Sequence, residues 1–515
     1  MREPFHDPPA PTLPEREHLP FALAVALIYA VVVAATTMAH EPWRDEYQAW
    51  LLARDATSLA GLFRALKYEG HPGLWHLLLY GITGLTRDPR WMQAAHVLIS
   101  GAAVLLFQLR APFVRWQRIA FAGGYFVMYE YAVVARNYSL GLLLVIVVCW
   151  LFPDRLRRPL PLCVALFLLA HSSVFGLVMS LAMLAALLVE LLVLPQVSPP
   201  EARPSPAALF AGLGVLITGC ATAVVQVIPP ADSGYAVAWY LDFDGARLSA
   251  LTRAMAQVLI PACLPDVDFW MRGWPERWPA AGLAGGVLAL AVLALVAWLL
   301  RSRRVVAIFY VLTVVGLLGF YYVKLLGAPR HHGFVYLTMI AGLWLARTHE
   351  TGGTPAHPRH SRVAQLLLSA LVVCQLGGGG VSHALEWRYP FSQGRAAARF
   401  IVEAQLADLP LVVEPAAWGT TLVGALGRDS VYMARICRNG SYVKWTRALW
   451  RAFDDVELLR RTRQFARRQR GRVLLATDHA LSDDHRQVLG ARDLAHLVGS
   501  IAHEDYHLYL LEPLP

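Results

Sequence analysis

Apolar runs of about twenty residues recur along the chain, and each is long enough to cross a bilayer as a helix. They read as 21–39, 91–109, 119–135, 139–152, 159–172, 174–194, 207–228, 280–300, 305–326, 333–346 and 363–381. A bilayer core offers the backbone no hydrogen-bond partners, so this pattern restricts the chain to a bundle of helices. The composition agrees: 57% of residues are hydrophobic and 16% are charged. The expected class is a polytopic α-helical membrane protein of about eleven transmembrane helices, with a C-terminal extracytoplasmic α/β domain.

The connecting segments fall into two kinds, and they alternate. One kind is short and arginine-rich: Arg110, Arg115 and Arg118; Arg155, Arg157 and Arg158; Arg301, Arg303 and Arg304; Arg347, Arg359 and Arg362. The other kind carries acids, aromatics and histidines. The positive-inside rule puts the arginine-rich loops and residues 1–20 in the cytoplasm. The net charge of +10 is therefore explained by orientation signals, and no nucleic-acid partner is expected. The six cysteines are scattered singly, without metal or disulfide spacing.

Residues 21–381 read as the membrane domain and 40–90 as one long outer loop. Within that loop, His71–Thr86 is apolar but short for a span and is expected to be interfacial or re-entrant. The stretch QAWLLARDATSLAGLFRALKY fits amphipathic helices. From 382 to 515 helical and strand patterns alternate, as in a small α/β domain. Seven arginines lie between Arg460 and Arg472. They read either as a solvated helix face or as a contact for anionic groups.

Polar residues gather in the loops opposite the arginine-rich ones. The first holds Arg44, Asp45, Glu46, Lys67, Glu69 and His71, among Trp43, Tyr47 and Trp50. Later ones hold Glu130, Arg136 and Tyr138; His171; Asp242, Asp244 and Arg247; and Arg330, His331 and His332. Each has an ordinary reading as a loop charge, a snorkelling anchor or a structural histidine. Together they suit one chemistry. A hydroxyl nucleophile needs a carboxylate base, and a phosphate leaving group needs arginine. Ionisable groups at membrane depth are costly and mark function. Arg44 itself reads as an interfacial anchor.

The motifs WRDEYQAWLLA, EGHPGLWHLLLY, ARNYSLGLLL and PRHHGF resemble the GT-C superfamily of integral membrane glycosyltransferases. The likeness is to the branch holding protein O-mannosyltransferases and the lipid A aminoarabinose transferase, and it covers residues 21–350. The resemblance implies a polyprenyl-phosphate-linked sugar donor and an inverting transfer to a lipid, glycan or protein acceptor. It also implies a bacterial inner-membrane setting among membrane lipids. By that likeness Asp45 is the catalytic base, Glu46 assists or orients, and Glu130 matches the acid of the second outer loop. Arg136, Arg330 and Lys67 match donor-phosphate contacts, and Trp43, Tyr47, His71, Tyr138 and His331 match substrate contacts. Some relatives bind a divalent metal near EGHPG, so Glu69 and His71 are candidate ligands. A lipid-linked sugar flippase and a polysaccharide polymerase or ligase are the competing readings.

Overall fold

A computed structural model describes residues 15–193, 205–234, 239–261, 264–348 and 358–512; most of the expected N-terminal tail lies outside them. Helix α1 (Glu15–Ala39) leads into three short helices, α2 (Arg44–Arg54), α3 (Leu59–Leu66) and α4 (Leu74–Thr83). Ten residues cannot cross a membrane, so α4 does not span, as expected. The bundle continues through α5 (Arg90–Arg110), α6 (Arg115–Ala122), α7 (Tyr138–Leu151), α8 (Pro159–Ser172), α9 (Val174–Val193) and α10 (Pro206–Val227). It then runs through α11 (Gly245–Leu259), the short α12 (Trp274–Arg277), α13 (Pro279–Leu300), α14 (Arg304–Val323), α15 (Pro329–Thr348) and α16 (Pro358–Arg388).

Among the described residues, seven helices are long and apolar enough to cross a membrane: α1, α5, α9, α10, α13, α14 and α16. Helices α7 and α8 are apolar but shorter, and α15 has 20 residues. The run 119–135, expected as one span, is not one helix. Helix α6 stops at Ala122, and Tyr125–Glu130 forms a single π-helical turn. The break coincides with a close crossing. A Cβ on Gly379 of α16 would lie 2.3 Å from the Gly123 carbonyl oxygen, so the two backbones touch where the helix breaks. The wider π turn then aims Tyr125, Tyr129 and Glu130 into the protein.

The two ends of the bundle differ chemically, as the loop charges require. At one end Arg115 and Arg118 sit over Phe21 at 5.1 and 5.5 Å, Arg110 sits over Trp150 at 5.0 Å, and Arg347 donates to the Pro112 carbonyl. At the other end of α1, Thr36 bonds His383 at 2.7 Å and His40 bonds Glu386 at 2.8 Å. Helix α2 starts from this second end.

Beyond α16 the chain forms α17 (Gly394–Glu403), β1 (Leu411–Glu414), α18 (Ala416–Leu426), β2 (Val431–Met433), β3 (Arg438–Gly440), α19 (Asp455–Gln469), β4 (Val473–Thr477), α20 (Asp483–Leu489), β5 (Ala491–Leu497) and β6 (Tyr506–Leu511). The sheet order is β3-β2-β1-β4-β6-β5, with β1 parallel to β2 and β4 and the other pairs antiparallel. Strand alternation divides its side chains between two cores. Leu411, Val413, Leu474, Ala476, Leu508 and Leu510 share a core with Tyr47, Trp50 and Trp75 of the short helices. Val412, Leu475 and Tyr509 pack under α19 on the other face. The arginine-rich helix α19 therefore lies on the sheet face turned away from the bundle. Arg460 and Arg461 pair with Glu457, while Arg467, Arg468, Arg470 and Arg472 stay exposed.

Helix α18 docks directly on α2. A Cβ on Gly424 would fall 2.0 Å from Tyr47 Cδ1, so only glycine allows this approach. Arg44 completes the joint. Its guanidinium lies 4.5 Å from the Trp43 ring and 4.4 Å from the Trp418 ring, and it pairs with buried Glu504 at 3.5 Å. Arg44 is thus a domain clamp and not an interfacial anchor. Gly424→Leu is expected to cost roughly 1–3 kcal/mol through overpacking. Thermal melts of the detergent-solubilised protein, with limited proteolysis between α16 and α17, check this.

Candidate active site

Asp45 and Glu46 occupy the first turn of α2, where the helix N-terminus favours negative charge. Successive helical residues point about 100° apart, and the two acids meet different surroundings. Asp45 forms an ion pair with Arg136 and keeps 30% of its side chain exposed. Burial raises its carboxyl, but Arg136, Arg44 and Arg330 outweigh that and hold it below the usual carboxylate range. Asp45 is therefore ionised and open on one side.

Glu46 is completely buried. Its carboxylate accepts from His40 Nε2 at 2.9 Å, the Trp43 amide at 3.2 Å and the Ala135 amide at 2.7 Å. The bond to Trp43 is half of a capping box, and the bond to Ala135 joins two distant loops. Since Ala135 precedes Arg136, this contact sets the Asp45–Arg136 pair. His40 donates in turn to Glu386 at 2.8 Å, and the other Glu386 oxygen accepts from Tyr129 at 2.6 Å. Burial alone would depress the His40 imidazole, yet Glu46 and Glu386 bring it up to about 10. A charged imidazolium lies between two carboxylates beneath the site.

Around Asp45 the cationic wall consists of Arg136 and Arg330. Arg330 comes from the start of α15 and lies 5.1 Å from the Trp270 ring and 5.9 Å from the Trp43 ring. Among the described residues its guanidinium has no carboxylate partner, and its Nε is buried without a hydrogen bond. Trp43 Nε1, His71 Nδ1 and Tyr138 Oη are buried and unpartnered as well. Tyr138 lies 5.9 Å from both Arg136 and the His331 ring. His331 Nδ1 accepts from the Ala328 amide at 2.9 Å, which places its proton on Nε2. Buried polar groups are nearly always satisfied, so four orphans around one acid describe a surface built for a polar ligand.

Glu69 and His71 come from the turn before α4. The Asp45 and Arg136 charges act on both. Burial pushes the Glu69 carboxyl up to about 7, against a hydrogen bond from Gln48 at 2.7 Å. Gln48 is itself held by the backbone of Val443. Burial holds His71 down at about 4, so it is neutral, and Arg136 adds to this. Among the described residues no group of three or more His, Cys, Asp or Glu side chains is placed to hold a metal ion. Glu69 and His71 alone supply at most two ligands. A divalent ion held there would take its remaining ligands from donor phosphate oxygens and water.

The other expected site residues divide. Glu130 is enclosed, accepting from Tyr125 at 2.6 Å and Trp270 Nε1 at 3.0 Å, with the Arg330 charge in reach. Tyr47 turns away from Asp45 and into the joint with α18. Lys67 is exposed at the C-terminal end of α3, outside the buried group. His171 bonds Thr222 at 3.0 Å, and Asp244 caps α11. Residues that sequence reasoning passed over include His40, Gln48, Trp270 and Glu386. His40 stands six residues before Glu46 and was readable as a local partner. Gln48 lies in α2 itself but reads as an ordinary helical residue, and Trp270 and Glu386 come from distant segments and carry no local signal.

No family model and no curated protein matches the sequence. The crystal structure of ArnT from Cupriavidus metallidurans in the apo state matches in three dimensions. Its TM-score is 0.50 at 14% identity, over 96% of this chain and 98% of that one. The likeness is one of fold: the chain shares the overall architecture of that protein, and its long apolar helices make it an integral membrane protein.

Removing one partner from the buried triad leaves an unpaired charge. Glu386→Ala is expected to cost roughly 3–5 kcal/mol. Because the folded His40 value lies above that of a free imidazole, its pairing stabilises fully below about pH 6.5. That contribution is lost as pH rises towards about 10. The melting-temperature gap between wild type and His40→Gln should therefore be widest near pH 6 and close on the alkaline side. A constant gap rules out the imidazolium.

Proposed function

We propose that this protein is a GT-C glycosyltransferase that moves a sugar from a polyprenyl-phosphate donor to an acceptor hydroxyl, with inversion at the anomeric carbon. The observation that carries this reading is the guanidinium of Arg330, without a carboxylate partner among the described residues, beside the Asp45–Arg136 pair. An anionic leaving group and a base are then provided for at one spot. Asp45 takes the acceptor hydroxyl proton, the acceptor oxygen bonds to the anomeric carbon, and the carbon–phosphate oxygen bond breaks. The electron pair departs on polyprenyl phosphate, which Arg136 and Arg330 stabilise. His331 Nε2–H and the Tyr138 hydroxyl donate to donor oxygens. Glu46, His40 and Glu386 act as positioning residues.

Donor binding also adjusts the base. In the free protein Arg136 and Arg330 hold the Asp45 carboxyl down, which makes it a weak proton acceptor. A phosphate drawing on the same guanidiniums relieves that pull, so the base strengthens when the donor arrives. A second reading gives the proton transfer to Glu69, because its carboxyl titrates at about 7, where a general base works best.

By the positive-inside rule the arginine-rich end faces the cytoplasm, and the site and residues 382–515 lie outside it, in a bacterial inner membrane. Lipid, glycan and protein acceptors all suit the chemistry. The test is reconstitution with labelled polyprenyl-phosphate sugar. Asp45→Asn should lower transfer by roughly 10²–10⁴ while the protein still inserts. Normal transfer by that variant overturns the role of Asp45, and label crossing the membrane without bond formation identifies a flippase. The two bases separate by pH. With Asp45 as base, kcat/KM is flat through neutrality. With Glu69 as base it rises through about pH 7, and Glu69→Gln abolishes that rise.

A further inference from the structure

A cavity of about 1040 Å³ opens on the other side of α2 from Asp45. Its walls come from the last turns of α1, the first turns of α5, and the Gly424–Gly427 turn after α18. Tyr47 forms part of the floor. Tyr47 and Asp45 are two residues apart on one helix and so point in nearly opposite directions. The cavity is therefore separate from the orphaned polar groups around Arg330.

Its lining has two parts. Ala34 and Met38 of α1 and Val97 and Leu98 of α5 are apolar. Leu27, Val31, Ala34 and Met38 recur at helical spacing, so they form one stripe down α1. Leu27 is 66%, Val31 60% and Met38 81% exposed. That stripe is the lipid-facing surface of the span, and it runs without interruption into the cavity. The second part is polar and buried. Thr37, Tyr47 and Gln93 are 5%, 6% and 7% exposed, and all three line the space. The Thr37 hydroxyl has no hydrogen-bond partner. Gln93 makes one long contact, at 3.4 Å to the Thr37 carbonyl. The buried Thr37 hydroxyl is left for an outside partner, and the Tyr47 and Gln93 side chains line the same space beside it.

The charge at the mouth selects that partner. Arg90 is neutralised by Asp88 at 2.6 Å, and Arg87 faces Asp429 at 3.5 Å across the surface. Arg395 has no ion pair among the described residues. It donates to the His40 carbonyl at 3.0 Å, and its charge acts on the half-buried Glu41 carboxyl, which burial raises and Arg395 lowers. Hydroxyl and amide groups beside a guanidinium without an ion pair among the described residues, above an apolar channel open to the bilayer, match a phosphodiester headgroup bearing hydroxyls. We propose that this cavity is a binding site for an anionic phospholipid of the phosphatidylglycerol type. The phosphate meets Arg395, the glycerol hydroxyls meet Thr37, Tyr47 and Gln93, and the acyl chains run down the α1 stripe. The lipid would bridge the bundle to the C-terminal domain. The inference does not rest on sugar transfer and stands or falls apart from it.

The test is native mass spectrometry of the full-length protein in detergent, titrated with phosphatidylglycerol and with phosphatidylcholine. Wild type should retain phosphatidylglycerol about fivefold to tenfold more tightly, the order expected for one arginine–headgroup pairing. Arg395→Gln should abolish the preference, and Ala94→Trp, which fills the cavity, should abolish binding of both lipids there. Thr37→Val removes only the hydroxyl and should weaken phosphatidylglycerol selectively, so the inference remains testable if the tryptophan variant does not fold. Equal retention of the two lipids by wild type overturns it, as does an undiminished preference in Arg395→Gln and Thr37→Val. Displacement of phosphatidylglycerol one for one by undecaprenyl phosphate also overturns it, since the cavity would then be a donor site.

Discussion

The contact between the Glu46 carboxylate and the Ala135 amide, at 2.7 Å, governs the geometry of the whole site. It joins the residue after Asp45 to the residue before Arg136, so the acid and its guanidinium meet because their neighbours are already bonded. A buried carboxylate is costly unless its oxygens are satisfied. Here His40, the Trp43 amide and the Ala135 amide satisfy it, and His40 is secured in turn by Glu386 of α16. The first helix, the short helices, the π turn and the last long helix all converge on this one group. Rigid support of that kind is what a reaction centre at a membrane surface needs, because small errors in placement are expensive.

The C-terminal domain is part of this arrangement and not an appendage. Arg44, adjacent to Asp45, is held by Trp418 and Glu504. Gln48, which orients Glu69, is held by Val443. One helix thus presents Asp45 to the site, Glu46 to the bundle, and Arg44 and Tyr47 to the domain above. Any shift of that domain would be felt at the acids, which gives the fold a physical route for coupling contacts made by the domain to the geometry of the site.

Much of this was legible in order. The apolar runs required a helical membrane domain, and the alternation of arginine-rich loops with acid-rich ones predicted the two chemically distinct ends. The shortness of His71–Thr86 correctly argued against a span. Asp45, Arg136 and Arg330, singled out from three separate loops, do come together. Other expectations failed for identifiable reasons. The run 119–135 has spanning hydrophobicity, but it breaks where a glycine of α16 crosses it, and no local pattern announces a partner more than two hundred residues away. Arg44 had the ordinary look of an interfacial anchor, because its carboxylate, Glu504, lies in another domain.

The sequence by itself determined which segments are too apolar for water and which residues are too costly to bury alone. Both are properties of single side chains and their spacing. Only the tertiary structure decided the division of labour between Asp45 and Glu46. Adjacent in the chain and nearly identical in chemistry, they differ because one faces an open cationic wall and the other a closed set of three donors. That difference depends on His40, Ala135, Arg136 and Arg330 arriving together in space, which the spacing of residues along a chain does not encode.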